Sequence, residues 1–313
     1  MTFFSSLLSS LPGAAAQGLI WGIMAIGVYL TFRILDVADL TVDGTLATGG
    51  ATAVMLIRAG VDHRLALLAA FAVGLICGLC TGLLHTRCGI PAILSGILTQ
   101  LALYSVNLRI MGNKANQALS VDKYPLTVSQ RFVREFSLKN PLPLLLIITL
   151  CVIALLYWFF GTEKGSAIRA TGANQAMARA QGIDTRACNV LGLMLSNGLV
   201  AFSGALLAQY QGSSDINMGR GSIVIGLAAV IIGEVIFGKL FRNFALKLLA
   251  VSFGAIIYYL VLQIVLQLGL NTNDLKLITA AIVALFLAVP YWKSRIHRQN
   301  HKTAGAAKGG TSC

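Results

Sequence analysis

Carboxylates are scarce in this chain, and their positions narrow its chemistry. There are 11 Asp and Glu against 24 Lys and Arg in 313 residues, and 57% of the residues are hydrophobic. Glu234 stands inside the apolar run GLAAVIIGEVIFG, between Gly233 and Gly238. An ionised carboxylate in lipid is costly and is seldom placed there without a use. Glu234 can line a translocation pathway or bind a coupled proton; equally, it can be a structural acid that bonds a neighbouring helix. Asp215 lies in QYQGSSDINMGRG, beside Gln209, Gln211 and Asn217, a polar density suited to a gate or re-entrant turn, or to an ordinary exposed loop. Asn107 and Arg109 sit near the end of another apolar run, where Arg109 can snorkel to the interface. In ILDVADLTVDGTLATGGATA, Asp36, Asp39 and Asp43 precede a run of small residues. Thr41 and Asp43 are suited to cap the helix that follows. Gly49, Gly50 and Ala51 would let another helix approach closely, and packing is the preferred reading of this stretch.

Other chemistries lack their residues. No phosphate-binding loop of the Walker A type occurs. The four His are scattered, and Cys77 and Cys80 share a helix face with only His85 nearby, so no catalytic set, metal site or cofactor is expected. The net charge of +13 is spread over loops, without the basic and aromatic stripe of a nucleic-acid binder.

With a mean hydropathy of +0.79, the chain needs lipid as its solvent. Apolar runs at 14–32, 43–57, 65–84, 90–111, 142–160, 187–210, 223–237, 246–268 and 275–292 predict an all-α polytopic membrane bundle of about nine transmembrane helices. The second and seventh runs are short and hold Asp43 and Glu234, the pattern of broken helices that line a pathway. Residues 1–13 lack the basic start of a signal peptide and suggest a short interfacial helix ending near Pro12 and Gly13. Residues 14–292 form one membrane domain, and the basic tail 293–313 is expected to be disordered.

The longest polar interruption that is ordered in pattern is Gly161–Arg186, a basic stretch rich in Ala and Gly. It is long enough for a short helix between Gly turns, of the kind a membrane protein offers to a partner. Placing it in the cytoplasm with the basic tail puts 14 of the 24 Lys and Arg inside and 10 outside, a moderate positive-inside bias with an external N-terminus. The 112–140 loop is the exception, external yet basic.

Taken together, LTVDGTLATGGA, GIPAILSGILTQLALYSVNLRIMG, GSAIRATGANQAMARAQGID, LGLMLSNGLVAFSGALLAQYQG and GLAAVIIGEVIFG resemble the permeases of binding-protein-dependent ABC importers. The likeness is to the branched-chain amino acid and simple-sugar permease superfamily, in a subgroup paired with lipoprotein-type binding proteins, and it runs from about Gly18 to Pro290. The resemblance implies a multi-pass protein of the cell inner membrane. It implies two permease copies around the pathway, separate ABC ATPase subunits on the cytoplasmic face, and an extracytoplasmic binding protein that delivers substrate. Ala170, Thr171, Gly172, Asn174, Ala176, Met177, Ala178, Arg179 and Gly182 match the family's ATPase-coupling segment. An aromatic or other hydrophobic amino acid is the substrate implied by the subgroup. The chain itself would not be an enzyme. A proton- or ion-coupled carrier using Glu234 is the alternative, and it would leave 161–186 as a plain loop. A channel lacks any filter-like repeat.

Overall fold

A computed structural model describes residues 3–120, 123–132, 140–238, 240–241 and 243–267, with scattered positions between 277 and 288. The last predicted span (275–292), the loop before it and the basic tail therefore lie largely or wholly outside the described residues.

Among the described residues the fold has ten α-helices: α1 Phe3–Tyr29, α2 Val42–Arg58, α3 His63–Thr86, α4 Ala92–Ile110, α5 Pro141–Gly161, α6 Glu163–Ala173, α7 Gln175–Ala180, α8 Thr185–Gln211, α9 Ser222–Phe237 and α10 Phe244–Gln267. A π-helical turn, Leu30–Ile34, extends α1. Among the described residues, six segments are long and apolar enough to cross a membrane: Ser10–Ile34, α3, α4, α5, α8 and α10. The short helices α2 and α9 complete the eight predicted runs that fall on described residues.

The first element differs from expectation. No break occurs at Pro12, which lies inside α1. Proline removes one backbone hydrogen bond. Here the helix beyond it is buried continuously from Gly18 and on alternate residues from Ala14, and the Tyr210 hydroxyl donates to the Gly13 carbonyl oxygen at 3.3 Å. That packing outweighs the break, so residues 1–13 do not form a separate helix over their described part.

Helix α8 is the mast of the bundle. At 27 residues it runs about 40 Å at 1.5 Å per residue. Helices α1, α2 and α3 pack around it. The small-residue expectation holds at α2, where a Cβ on Gly49 would collide with the Ala201 carbonyl of α8. Gly78 of α3 meets the Leu193 carbonyl in the same way.

The two ends of the bundle differ. At one end α6 and α7 project between α5 and α8. At the other, a two-stranded antiparallel ribbon joins β1 (Asn116–Ala118) to β2 (Ser213–Asp215), pairing Gln117 with Ser214. Arg58, at the C-terminus of α2, bonds the Gln117 side chain there.

Candidate functional site

The 161–186 stretch folds as two short helices with a sharp corner. Thr162 ends α5 and opens α6: its hydroxyl donates to the Phe159 carbonyl at 2.6 Å and accepts the Gly165 amide at 3.4 Å. Asn174 stops α6 in an extended conformation, and its Oδ1 accepts the Met177 amide at 3.0 Å to start α7. Gly182 turns the chain at φ +80°, and Asp184 caps α8 through the Arg186 and Ala187 amides. Three caps from short polar side chains thus hold a structure too short to be stable as isolated helix.

The nine residues of the stretch divide between two faces. Thr171 and Ala178 are buried against the bundle. Gly172 lies against the π-helical turn, where any Cβ would overlap the Ile34 carbonyl oxygen. Ala170, Asn174, Ala176, Met177, Arg179 and Gly182 face outward. Met177 is 64% exposed, a large apolar side chain on an otherwise polar projection.

The pathway candidates do not converge. Glu234 stands at the α6–α7 end, its Oε1 accepting Arg33 Nε at 2.9 Å, with the two side chains 34% and 58% exposed. The pair joins α9 to the π-helical turn that extends α1. Gln209 is fully buried at the ribbon end, accepting the Thr127 amide at 3.0 Å and donating to the His63 carbonyl at 3.4 Å. Gln211 and Asn217 are exposed, and Asp215 Oδ1 accepts the Asn217 amide at 2.7 Å, closing a tight turn after β2. Asn107 is buried between α4 and α2; its Nδ2 reaches the Gly44 carbonyl at 3.5 Å while its Oδ1 has no hydrogen-bond partner.

A more coherent polar centre lies halfway along α8. Asn197 donates to Asp39 Oδ2 at 2.7 Å and accepts the Thr45 hydroxyl at 2.7 Å. Asp39 Oδ1 takes the Thr41 amide at 2.9 Å. The Thr41, Thr81 and Thr99 hydroxyls form a chain at 2.8 and 3.0 Å that ties α2 to α3 and α4. All six side chains are buried. Asn197, Thr45, Thr81 and Thr99 were missed in the sequence because nothing there shows that they meet; Asp39 was visible as an acid before a small-residue run, and Thr41 only as a helix cap.

Asp43 corrects an expectation. Thr41 occupies the N-cap of α2 but makes no side-chain cap bond. Asp43 instead caps α9 across the bundle: its carboxylate accepts the Gly221 amide at 2.9 Å, the Ser222 hydroxyl at 2.8 Å and the Ile223 amide at 3.0 Å. The amides of a helix start need acceptors, and Gly221, the residue before α9, has no side chain to supply one. The starts of α2 and α9 are therefore joined through one partly buried carboxylate. Two short helices meeting by their N-termini are the geometry of discontinuous membrane helices, whose positive ends can face a substrate.

Comparisons with known proteins bear on the whole arrangement. Residues 10–290 match the family described as branched-chain amino acid transport system / permease component. A tyrosine transport system permease protein of Clostridioides difficile (strain R20291) is 38% identical over 295 residues, covering 94% of this chain and 96% of that protein. An uncharacterized protein of Rickettsia prowazekii (strain Madrid E) is 36% identical over 277 residues, 88% of this chain and 95% of its own length. The autoinducer 2 import system permease protein LsrC of Yersinia pestis (strain Pestoides F) is 29% identical over 237 residues, with 74% of this chain and 64% of that protein covered. No solved structure matches the chain. A family match across nearly the whole bundle, on an all-α multi-pass scaffold, places the chain in the inner membrane as a permease of the branched-chain amino acid transport family of ABC importers.

Proposed function

We propose that this chain forms the substrate pathway of an amino-acid importer and is driven through α6 and α7 by a separate ATPase. The observation that carries the proposal is the division of faces in 170–182. Thr171, Gly172 and Ala178 fix the two helices to the bundle, while Asn174, Ala176, Met177 and Arg179 stand outward on a short, capped projection. An exposed apolar residue beside an exposed cation is the composition of an interface anchor. Two copies of the chain would enclose the pathway, and a binding protein would deliver substrate at the ribbon end. The tyrosine transport relative supports an aromatic amino acid as substrate.

The test is uptake of labelled tyrosine in cells that express the complete system, with unlabelled amino acids as competitors. Met177→Asp and Arg179→Glu change only outward positions, so membrane levels should stay normal. Uptake should fall by roughly tenfold, since losing a central interface anchor costs more than about 1 kcal/mol. Normal uptake by both variants would sink the docking role of α7. Competition by sugars but not by aromatic amino acids would sink the substrate assignment alone.

A further inference from the structure

We propose that a groove along α5 holds one anionic phospholipid, with its phosphate beside the coupling helices. The groove is read from three adjoining cavities. The first, about 480 Å³, lies between α3 and α5 over α8 and is lined only by apolar side chains and Cys151, among them Leu68, Phe71, Leu155 and Phe202. Trp158 belongs to this cavity and also to a second one, of about 490 Å³, at the C-terminal end of α5. Arg169 and Phe244 belong to the second and also to a third, of about 380 Å³, between the π-helical turn, α6 and α10. Arg33, Arg169 and Lys247 line the third cavity, and no acidic side chain is among its described lining residues.

The order apolar, aromatic, basic matches a phospholipid from acyl chain to headgroup. Trp158 and Tyr157, 71% and 57% exposed, stand at the seam, where aromatic side chains favour the interface. Arg169 is held in place: Nη2 donates to the Phe160 carbonyl at 2.8 Å and the guanidinium lies 6.0 Å from the Phe244 ring centroid. Arg33 is oriented by Glu234, which offsets one of the three positive charges, and Lys247 is exposed. The surplus positive charge fits a phosphate group, and basic pockets between helices on the cytoplasmic side take anionic headgroups. The apolar cavity beside it selects a lipid over free phosphate. Gly172 and Ala173 line the same basic cavity, so the headgroup would brace α6.

The test is quenching of tryptophan fluorescence of the purified full chain by acyl-brominated lipids in mixed micelles. Phosphatidylglycerol is compared with phosphatidylcholine, and Trp158→Phe isolates the relevant signal. Brominated phosphatidylglycerol should quench at the lower mole fraction. Lys247→Gln should reduce that preference roughly fivefold, the effect of one cation near an anionic headgroup. Equal quenching by the two lipids would overturn the proposal, leaving ordinary boundary lipid. Displacement of the lipid by millimolar inorganic phosphate would overturn it in favour of a phosphate site. No quenching of Trp158 by either lipid would also overturn it, and a dimer in the same sample would identify a second copy as the cover.

Discussion

Asn197 joins two segments that are far apart in the chain. Its amide satisfies the Asp39 carboxylate and its carbonyl takes the Thr45 hydroxyl, so one side chain fixes the start of α2 to the middle of α8. Asn197→Leu would leave Asp39 Oδ2 buried without its partner, at about 1–3 kcal/mol, whereas the Thr45 hydroxyl keeps the Thr41 carbonyl at 3.1 Å. The melting temperature in detergent should therefore fall clearly further for Asn197→Leu than for Thr45→Val, and equal shifts would contradict the network. Glu234 carries a different weight. Its bond to Arg33 is partly exposed, and such pairs contribute about 0–1 kcal/mol. Glu234→Gln, Arg33→Gln and the double change should have similar small effects on stability, with the double no worse than the larger single. Strictly additive losses would show that the two residues act separately. The sequence marked Glu234 as the standout acid because it lies in an apolar run. The run ends only three residues later, and its partner lies 201 positions away, which no local pattern reveals.

At the scale of elements, the two short helices work as a pair. Helix α9 follows Gly221, which offers no side-chain cap, and Asp43 of α2 supplies three hydrogen bonds to its start. Removing a helix cap costs about 0.5–2 kcal/mol. Asp43→Ala should speed amide hydrogen exchange over residues 222–226 and leave α10 unchanged; unaltered exchange at 222–226 would contradict the cap. The shortness of both helices was legible from the length of their apolar runs, and so were the positions of all eight predicted spans among the described residues. Their junction was not legible, because an acid near a helix start is locally the mark of a cap for that same helix. Residues 161–186 were read as one helix between Gly turns and hold two. Asn174 forms the corner, and an Asn between Ala-rich segments gives no strong signal of a stop. Gly172 is the third case: it reads as a small residue for a partner's cleft, but it touches Ile34 of its own chain. A bulky substitution there would disturb the fold, so the exposed residues of α7 are the fair test of docking.

Over the whole molecule, a line of contacts links the projecting helices to the polar interior. Gly172 rests on Ile34, Leu35 packs on Gly192 of α8, Asp39 bonds Asn197, and Asp43 holds α9. Movement of α6 can therefore reach the starts of both short helices through directly touching groups. On the proposed docking of an ATPase at α6 and α7, this line is the route by which the partner would bias the packed interior. Composition alone revealed the membrane class, because a chain so apolar has no other solvent. The direction of each span rests on a modest charge bias, 14 cations against 10. The most direct measurement places a photo-reactive amino acid at Met177, 64% exposed on α7, and another at Leu155, 64% exposed on α5. On illumination of active membranes, the probe at Met177 should join covalently to an ATPase subunit and the probe at Leu155 should not. An active complex in which Met177 never reaches the ATPase would contradict coupling through this projection.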